Sequence, residues 1–207
     1  MQRRSHGYRV RAVKRGIDLM VALPGVVVVC VLAPWVSLAN RLTGDTGPVF
    51  FLDTRVGQRG RSFRILKFRT MDATVGPRIT FRDDPRVTRV GRFLRRTKLD
   101  ELPQLFNVLR GEMTVVGPRP ESPEYVDWSN PIHRAVIDLK PGITGPSQLA
   151  NLHEEESLLD DLQYRNVVLP RKLFMDRAYA KRASPRRDLK IILATLRALV
   201  HPASRAD

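Results

Sequence analysis

Asp100 and Glu101 are adjacent carboxylates in the stretch RRTKLDELPQLFNVLRGEMTVVGPRP, which runs from Arg95 to Pro120 through one of the most arginine-rich parts of the chain. Carboxylates in such cationic surroundings have two uses toward an anionic substrate. They attack phosphorus as nucleophiles, or they hold a hard cation such as Mg²⁺. The structural alternative is that the pair begins a helix. Asp is a favoured N-cap, acids in a first turn oppose the positive end of the helix dipole, and Pro103 is tolerated only near such a start. Leu102, Leu105, Phe106 and Leu109 then recur at helical spacing, and Gly111 is the natural stop.

The elements that position this pair sit in a chain of 207 residues, room for one ordinary domain plus an extra segment. A formal charge of +15 implies an anionic partner: nucleic acid, phospholipid headgroups or a phosphorylated substrate. The single cysteine, Cys30, excludes a disulfide framework within the chain and fits a reducing compartment. His6, His133, His153 and His201 are scattered without Cys or Asp around them, which argues against zinc.

From Leu19 to Asn40 no side chain is charged, about the length of a bilayer-crossing helix. A signal peptide is a poor fit, because the apolar run is too long and no small-x-small site closes it. Pro24 falls early in this run, where it removes a backbone bond and predicts a bend. Lys14 and Arg15 precede the run and Arg41 follows it, so the positive-inside rule gives no direction. Asp18 needs a partner at a membrane entry, and Arg15 stands one turn before it. The physics alone leaves a spanning helix and a re-entrant hairpin both open, and Pro34 does not decide between them.

After Gly44 the pattern becomes mixed. Val49–Leu52 and Ser62–Phe68 read as strands joined by a turn at Gly57–Gly60. DDPRVTRVGRFLRRT reads as a helix with Val87, Val90, Phe93 and Leu94 on one side and Arg86, Arg89, Arg92 and Arg96 on the others, suited to an anionic surface. RRDLKIILATLRALV repeats that design with Leu189, Ile192, Leu193, Leu196 and Val200. The expected fold is α+β: residues 1–43 as a basic segment and membrane helix, and 44–207 as a mixed domain with interfacial amphipathic helices; the family resemblance described below makes the first re-entrant and the second a cytoplasmic catalytic domain.

Walker loops, G-x-G-x-x-G and G-x-S-x-G elbows are absent. The segments KRGID, PVFF, TRVGQ, FRILKFRTM, RVTRVGRFLRRTKLDELPQLFNVLRGEMTVVGPRPE and KPGITG occur instead, in this order after the apolar N-terminus. They closely resemble the bacterial sugar transferases, the small monotopic phosphoglycosyl transferases. The resemblance runs from about Lys14 to Gly145 and more weakly to the end through DLKIILATL.

That resemblance implies transfer of a sugar-1-phosphate from a UDP-sugar to polyprenyl (undecaprenyl) phosphate at the cytoplasmic face of the bacterial inner membrane. The products are a polyprenyl-diphosphate sugar and UMP, the first membrane step of glycoconjugate biosynthesis. It implies a membrane helix that breaks at Pro24 and returns to the same face, a catalytic dyad at Asp100 and Glu101, and nucleotide binding by Pro118, Arg119 and Pro120. It assigns the nucleophile to Asp100 and the holding of Mg²⁺ to the dyad, with Glu101 assisting. Two departures stand out. Leu23 precedes Pro24 where many relatives have serine, and Asp53 replaces a common glutamine.

Among the cations, Lys67, Arg69, Arg96 and Arg119 are candidates for the diphosphate, Lys as a point charge and Arg as a fork. Arg119 is held between two prolines on stiff backbone. Arg89, Arg92 and Arg95 read as lipid-headgroup contacts. The competing reading is a non-catalytic basic module on anionic lipid or nucleic acid. Nucleic acid is not expected, because no motif for it appears, although Phe63, Phe68, Phe81 and Phe93 interleave with basic residues. A scaffold subunit would not need the acidic pair. The sugar, the polyprenol, the polymer and any homo-oligomer are left open.

Overall fold

The computed structural model describes residues 2–72, 80, 84–152 and 160–200, with side chains from Arg11 onward. His6, His153 and Phe81 lie outside the described side chains, as does His201. The expected α+β mixture is present. A helix α1, Gln2–Leu42, leads into an antiparallel hairpin of β1, Phe50–Val56, and β2, Ser62–Phe68. Helices α2 (Arg89–Arg96) and α3 (Gln104–Arg110) follow, then β3, Thr114–Val116. Beyond α4, Pro131–Ile137, β4 at Gly142–Thr144 pairs parallel with β3. Helix α5, Pro146–Ala150, precedes a short α6, Asp161–Gln163, which runs through a π-helical turn at Tyr164–Val168 into α7, Leu169–Ala180; α8, Pro185–Val200, closes the described chain.

α1 is one helix through Pro24 and Pro34, without the interruption the sequence suggested. Pro24 is exposed and costs one backbone bond. Packing on both sides of it offsets that loss. Ala22 sits in a cluster with Leu105, Val108 and Met113, and Val29 and Val36 sit in another with Phe68 and Leu94. Beside the proline, a Cβ on Gly25 would come within 2.3 Å of Leu105 Cδ1, so glycine permits the close approach of α1 to α3. The opposite side of the helix exposes Leu23, Val27, Val31 and Trp35. By length and composition this helix is able to cross a membrane.

The charges of KRGID clamp α1 to the domain. Lys14 Nζ donates to the Val116 carbonyl at 2.8 Å and pairs with Asp188 at 2.6 Å, while Tyr179 Oη donates to the other Asp188 oxygen. Arg15 donates to the carbonyls of Val108 and Leu109 at 2.7 and 2.9 Å, satisfying the C-terminal end of α3. Asp18 is not Arg15's partner. Its buried carboxylate accepts from Thr114 Oγ1 at 2.7 Å and the Val115 amide at 2.8 Å, fixing the helix to β3.

α2 is shorter than the pattern suggested. Val87 bridges Met71, Thr88 caps the helix by accepting from the Gly91 amide at 2.9 Å, and Phe93 turns outward at 60% exposure instead of joining Val90 and Leu94. Gly91 lies against the chain after β2, where an added Cβ would stand 2.0 Å from the Thr70 carbonyl oxygen. Backbone cannot yield as a side-chain tip can. Gly91→Ala is therefore expected to destabilise the fold by about 2 kcal/mol or more, read as a lowered midpoint in chemical unfolding.

Candidate active site

Asp100 does not cap a helix. It lies inside a single 3₁₀ turn, Leu99–Glu101, entered through Lys98 in the left-handed region at φ 56°. α3 begins only at Gln104, with Pro103 in the cap position and no side-chain cap bond. Asp100 is 7% exposed, and its Oδ1 is buried without a hydrogen-bond partner among the described residues. Such an atom normally finds a partner, and leaving it without one costs about 1–3 kcal/mol. Burial and the adjacent Glu101 charge push the Asp100 carboxyl up to about 6, while Lys67, Arg95 and Lys98 restrain the rise.

Glu101 has the opposite character. Burial alone would raise its pKa, but Lys67, Arg119 and Lys98 hold it well below the usual carboxylate range. Its Oε1 is 3.5 Å from Lys67 Nζ and 3.4 Å from Arg119 Nη1. Burial lowers the Lys67 ammonium, Glu101 and Asp100 raise it, and the guanidinium groups of Arg119 and Arg55 lower it further. Two neighbouring carboxylates thus have different tasks available. Glu101 is a fixed anion among cations, and Asp100 carries an oxygen that no described residue uses.

The hairpin and the β3–β4 pair bring the cations together. Lys67 comes from β2, and Arg119 follows β3, where the Gly117 amide bonds to Thr144 and the Pro118 carbonyl accepts from Gly142 at 2.8 Å. A cleft lined by Arg55, Lys67, Gln104, Arg119 and Pro120 results. From behind, the π-helical turn supports the segment, with Tyr164 Oη donating to Glu121 at 2.7 Å.

Of the expected binding residues, Lys67 and Arg119 converge on Glu101. Pro120 lines the same cleft, and Pro118 continues the ladder to β4. Arg69 instead joins Asp45 and donates from Nε to the Pro48 carbonyl at 2.6 Å, fastening the chain that leaves α1. Arg96 is exposed on α2. Its neighbour Arg95 turns inward, donates to Thr70 and Thr80 hydroxyls at 2.8 Å, and acts on Asp100. Its side chain is thus held toward Asp100, where the sequence suggested an outward contact with headgroups. Nothing in a row of similar arginines distinguishes it; the helix phase set by Val90, Gly91 and Leu94 does. Arg55 was also missed. Asp53 accepts from its Nε at 2.8 Å, which gives the unusual aspartate a partner at the rim of the cleft.

A family model described as bacterial sugar transferase matches residues 9–202. The chain belongs to this family. An undecaprenyl-phosphate glucose phosphotransferase of Komagataeibacter xylinus is 40% identical over 194 residues, covering 89% of this chain and 35% of that protein. A UDP-glucose:undecaprenyl-phosphate glucose-1-phosphate transferase of Caulobacter vibrioides is 37% identical, covering 90% and 69%. The Escherichia coli protein of the same name is 35% identical, covering 90% and 40%. The chain therefore spans about two fifths of the length of several relatives it matches. In this bacterial sugar transferase the acidic pair, the lysine of β2 and the arginine after β3 form one partly buried, charged cluster.

Proposed function

We propose that this chain transfers a sugar-1-phosphate from a UDP-sugar to polyprenyl phosphate through a covalent aspartyl intermediate. The observation that carries the reading is the buried, unpartnered Oδ1 of Asp100 beside a Glu101 already neutralised by cations. Asp100 Oδ1 attacks the β-phosphorus, the bond to UMP breaks, and UMP leaves with the electron pair. A phosphate oxygen of the polyprenyl carrier then attacks the same phosphorus and releases the Asp100 carboxylate. Lys67, Arg119 and Arg55 balance the diphosphate charge, and Arg95 and Lys98 keep Asp100 partly ionised despite its burial.

The donor set suits Mg²⁺, which is usually held by one or two carboxylates together with phosphates and water. Asp100 and Glu101 would hold the ion, which supplies charge neutralisation to the diphosphate. The matching test is release of UMP from UDP-sugars in the presence of undecaprenyl phosphate. Activity is expected to vanish in EDTA and return with Mg²⁺. Full turnover in metal-free buffer would contradict the metal assignment, and no turnover across a panel of UDP-sugars would contradict the reaction.

α1 is read as monotopic, with both ends at the cytoplasmic face. Supporting this, the helix packs on the same domain from Lys14, at α8 and β3, to Val36, beside Phe68 and Leu94. A crossing helix would carry these domain contacts through the bilayer. The exposed Leu23, Val27 and Val31 would enter the lipid from one side of the helix. The exposed Leu189, Leu193, Leu196 and Val200 of α8, with Phe93 and the outer arginines of α2, suit the anionic headgroup layer. In a Cys30→Ser background, cysteines at the exposed Val13 and at Thr43 are expected to be labelled from the same side of sealed vesicles. Labelling from opposite sides would exclude this topology.

A further inference from the structure

Asp53 and Arg55 lie two residues apart on β1 and so share one face of the hairpin. Their cross-strand partners are Ile65 and Phe63 of β2, and Lys67 stands two residues beyond Ile65, opposite Phe51. The rows of Arg55 and Lys67 are therefore about 13 Å apart along the strands, and the row of Asp53 lies midway between them.

Asp53 Oδ2 accepts from Arg55 Nε at 2.8 Å and from Nη2 at 2.6 Å, and the two side chains are 13% and 15% exposed. One carboxylate oxygen thus takes a whole edge of the guanidinium and draws it back along the strand, away from the Phe63 row and toward Lys67. The effect reaches that lysine. Arg55 lines the same cleft as Lys67 and Arg119, and its charge helps to lower the Lys67 ammonium. Beneath the pair, Ile65 is buried in the core and Phe63 packs against it, so neither side chain offers the guanidinium another acceptor. No described residue accepts from Arg55 Nη1.

We propose that Asp53 is a positioning residue, which holds the Arg55 guanidinium over the cleft so that Nη1 meets the diphosphate of the donor together with Lys67 and Arg119. The proposal rests on the UDP-sugar reading and adds the group that aims one of its cations. An arginine without such a partner samples many rotamers and must be ordered when a ligand binds. A carboxylate that orders it beforehand removes that cost from binding. The same carboxylate repels phosphate and is tolerable only while Arg55 answers it. The glutamine common at this position carries no charge, so the charge coupling of residues 53 and 55 comes with the aspartate.

The test is a double-mutant cycle of Asp53→Ala and Arg55→Met in the full chain, read as KM and kcat for UDP-sugar and as the dissociation constant of UDP by calorimetry in Mg²⁺ buffer. With Arg55 present, Asp53→Ala is expected to raise KM and the UDP dissociation constant about tenfold and to change kcat by less than about threefold. In the Arg55→Met background the same change is expected to weaken binding no further and to recover part of it, because the carboxylate left facing the phosphates is removed. Asp53→Asn, which keeps an acceptor of the same shape, is expected to lose only about threefold, and it carries the comparison should the alanine variant not fold. Equal losses in both backgrounds, or unchanged KM and UDP affinity in a folded Asp53→Ala protein, would overturn the assignment while normal wild-type turnover leaves the transferase reading intact. Coupled UDP binding in a wild type that turns over no UDP-sugar would do the reverse.

Discussion

Asp100→Asn is expected to fold, to gain stability and to lose turnover by a factor of about a thousand or more. The three outcomes have one cause. The Asp100 pKa lies above its unfolded value of 3.8, at about 6, so the folded chain holds this proton more tightly than the unfolded chain does. The associated stability is full below the unfolded pKa and is lost as pH rises through the folded one. Near pH 8 the ionised carboxylate then costs on the order of 1–3 kcal/mol, which the neutral amide removes. Chemical unfolding at pH 8 should therefore show Asp100→Asn more stable than its parent, with the difference shrinking toward pH 4. Helix capping predicts neither change, because Asn caps about as well as Asp. The wild-type rate with saturating substrates should fall below pH 6 as the nucleophile protonates, about tenfold per pH unit at the acid limit.

Lys67→Met is expected to lower kcat/KM by about a hundredfold to a thousandfold and, unlike Asp100→Asn, to destabilise the fold. Lys67 is the strongest of the cations that hold Glu101 ionised. Without it a buried carboxylate depends on Arg119 and Lys98, and its pKa rises. The expected cost is about 1–3 kcal/mol at neutral pH, shrinking in acid as Glu101 protonates. Circular dichroism and unfolding midpoints distinguish lost charge stabilisation from lost structure. Near-normal kcat/KM in a folded Lys67→Met protein would remove this lysine from the site.

The hairpin was legible in part: Ser62–Phe68 and the turn with Gly57 and Gly60 were read as found, whereas the first strand, expected to end at Leu52, runs on through the polar Asp53, Thr54 and Arg55 to Val56. α3 was legible because Leu105, Phe106 and Leu109 keep helical period and Gly111 takes the left-handed stop at φ 81°. β3 and β4 were not recognised, since three-residue strands carry too little periodicity, and their pairing depends on chain segments 28 residues apart at Thr114 and Gly142. The start of α3 was misplaced because an Asp-Glu-Leu-Pro sequence satisfies cap statistics equally well as an N-cap and as a separate 3₁₀ turn. Arg15 and Asp18 have the spacing of a helical ion pair, yet both are drawn to tertiary partners that sequence distance hides. Arg95 was hidden among its neighbours for the same reason. The residues the sequence singled out include Asp100, Glu101, Lys67 and Arg119, which the fold brings together, and Arg69 and Arg96, which it does not; the contrast between Glu101 and Asp100 became readable only with Lys67, Arg119 and Arg95 in place.

The central claim is that Asp100 is the nucleophile, and intact-mass and peptide mass spectrometry after incubation with UDP-sugar and Mg²⁺, without polyprenyl phosphate, tests it most directly. The account predicts UMP release stoichiometric with protein and one sugar phosphate on the peptide containing Asp100, discharged on adding polyprenyl phosphate and absent from Asp100→Asn. Turnover with polyprenyl phosphate but no such adduct in acid-quenched samples, together with near-normal activity in Asp100→Asn, would contradict it.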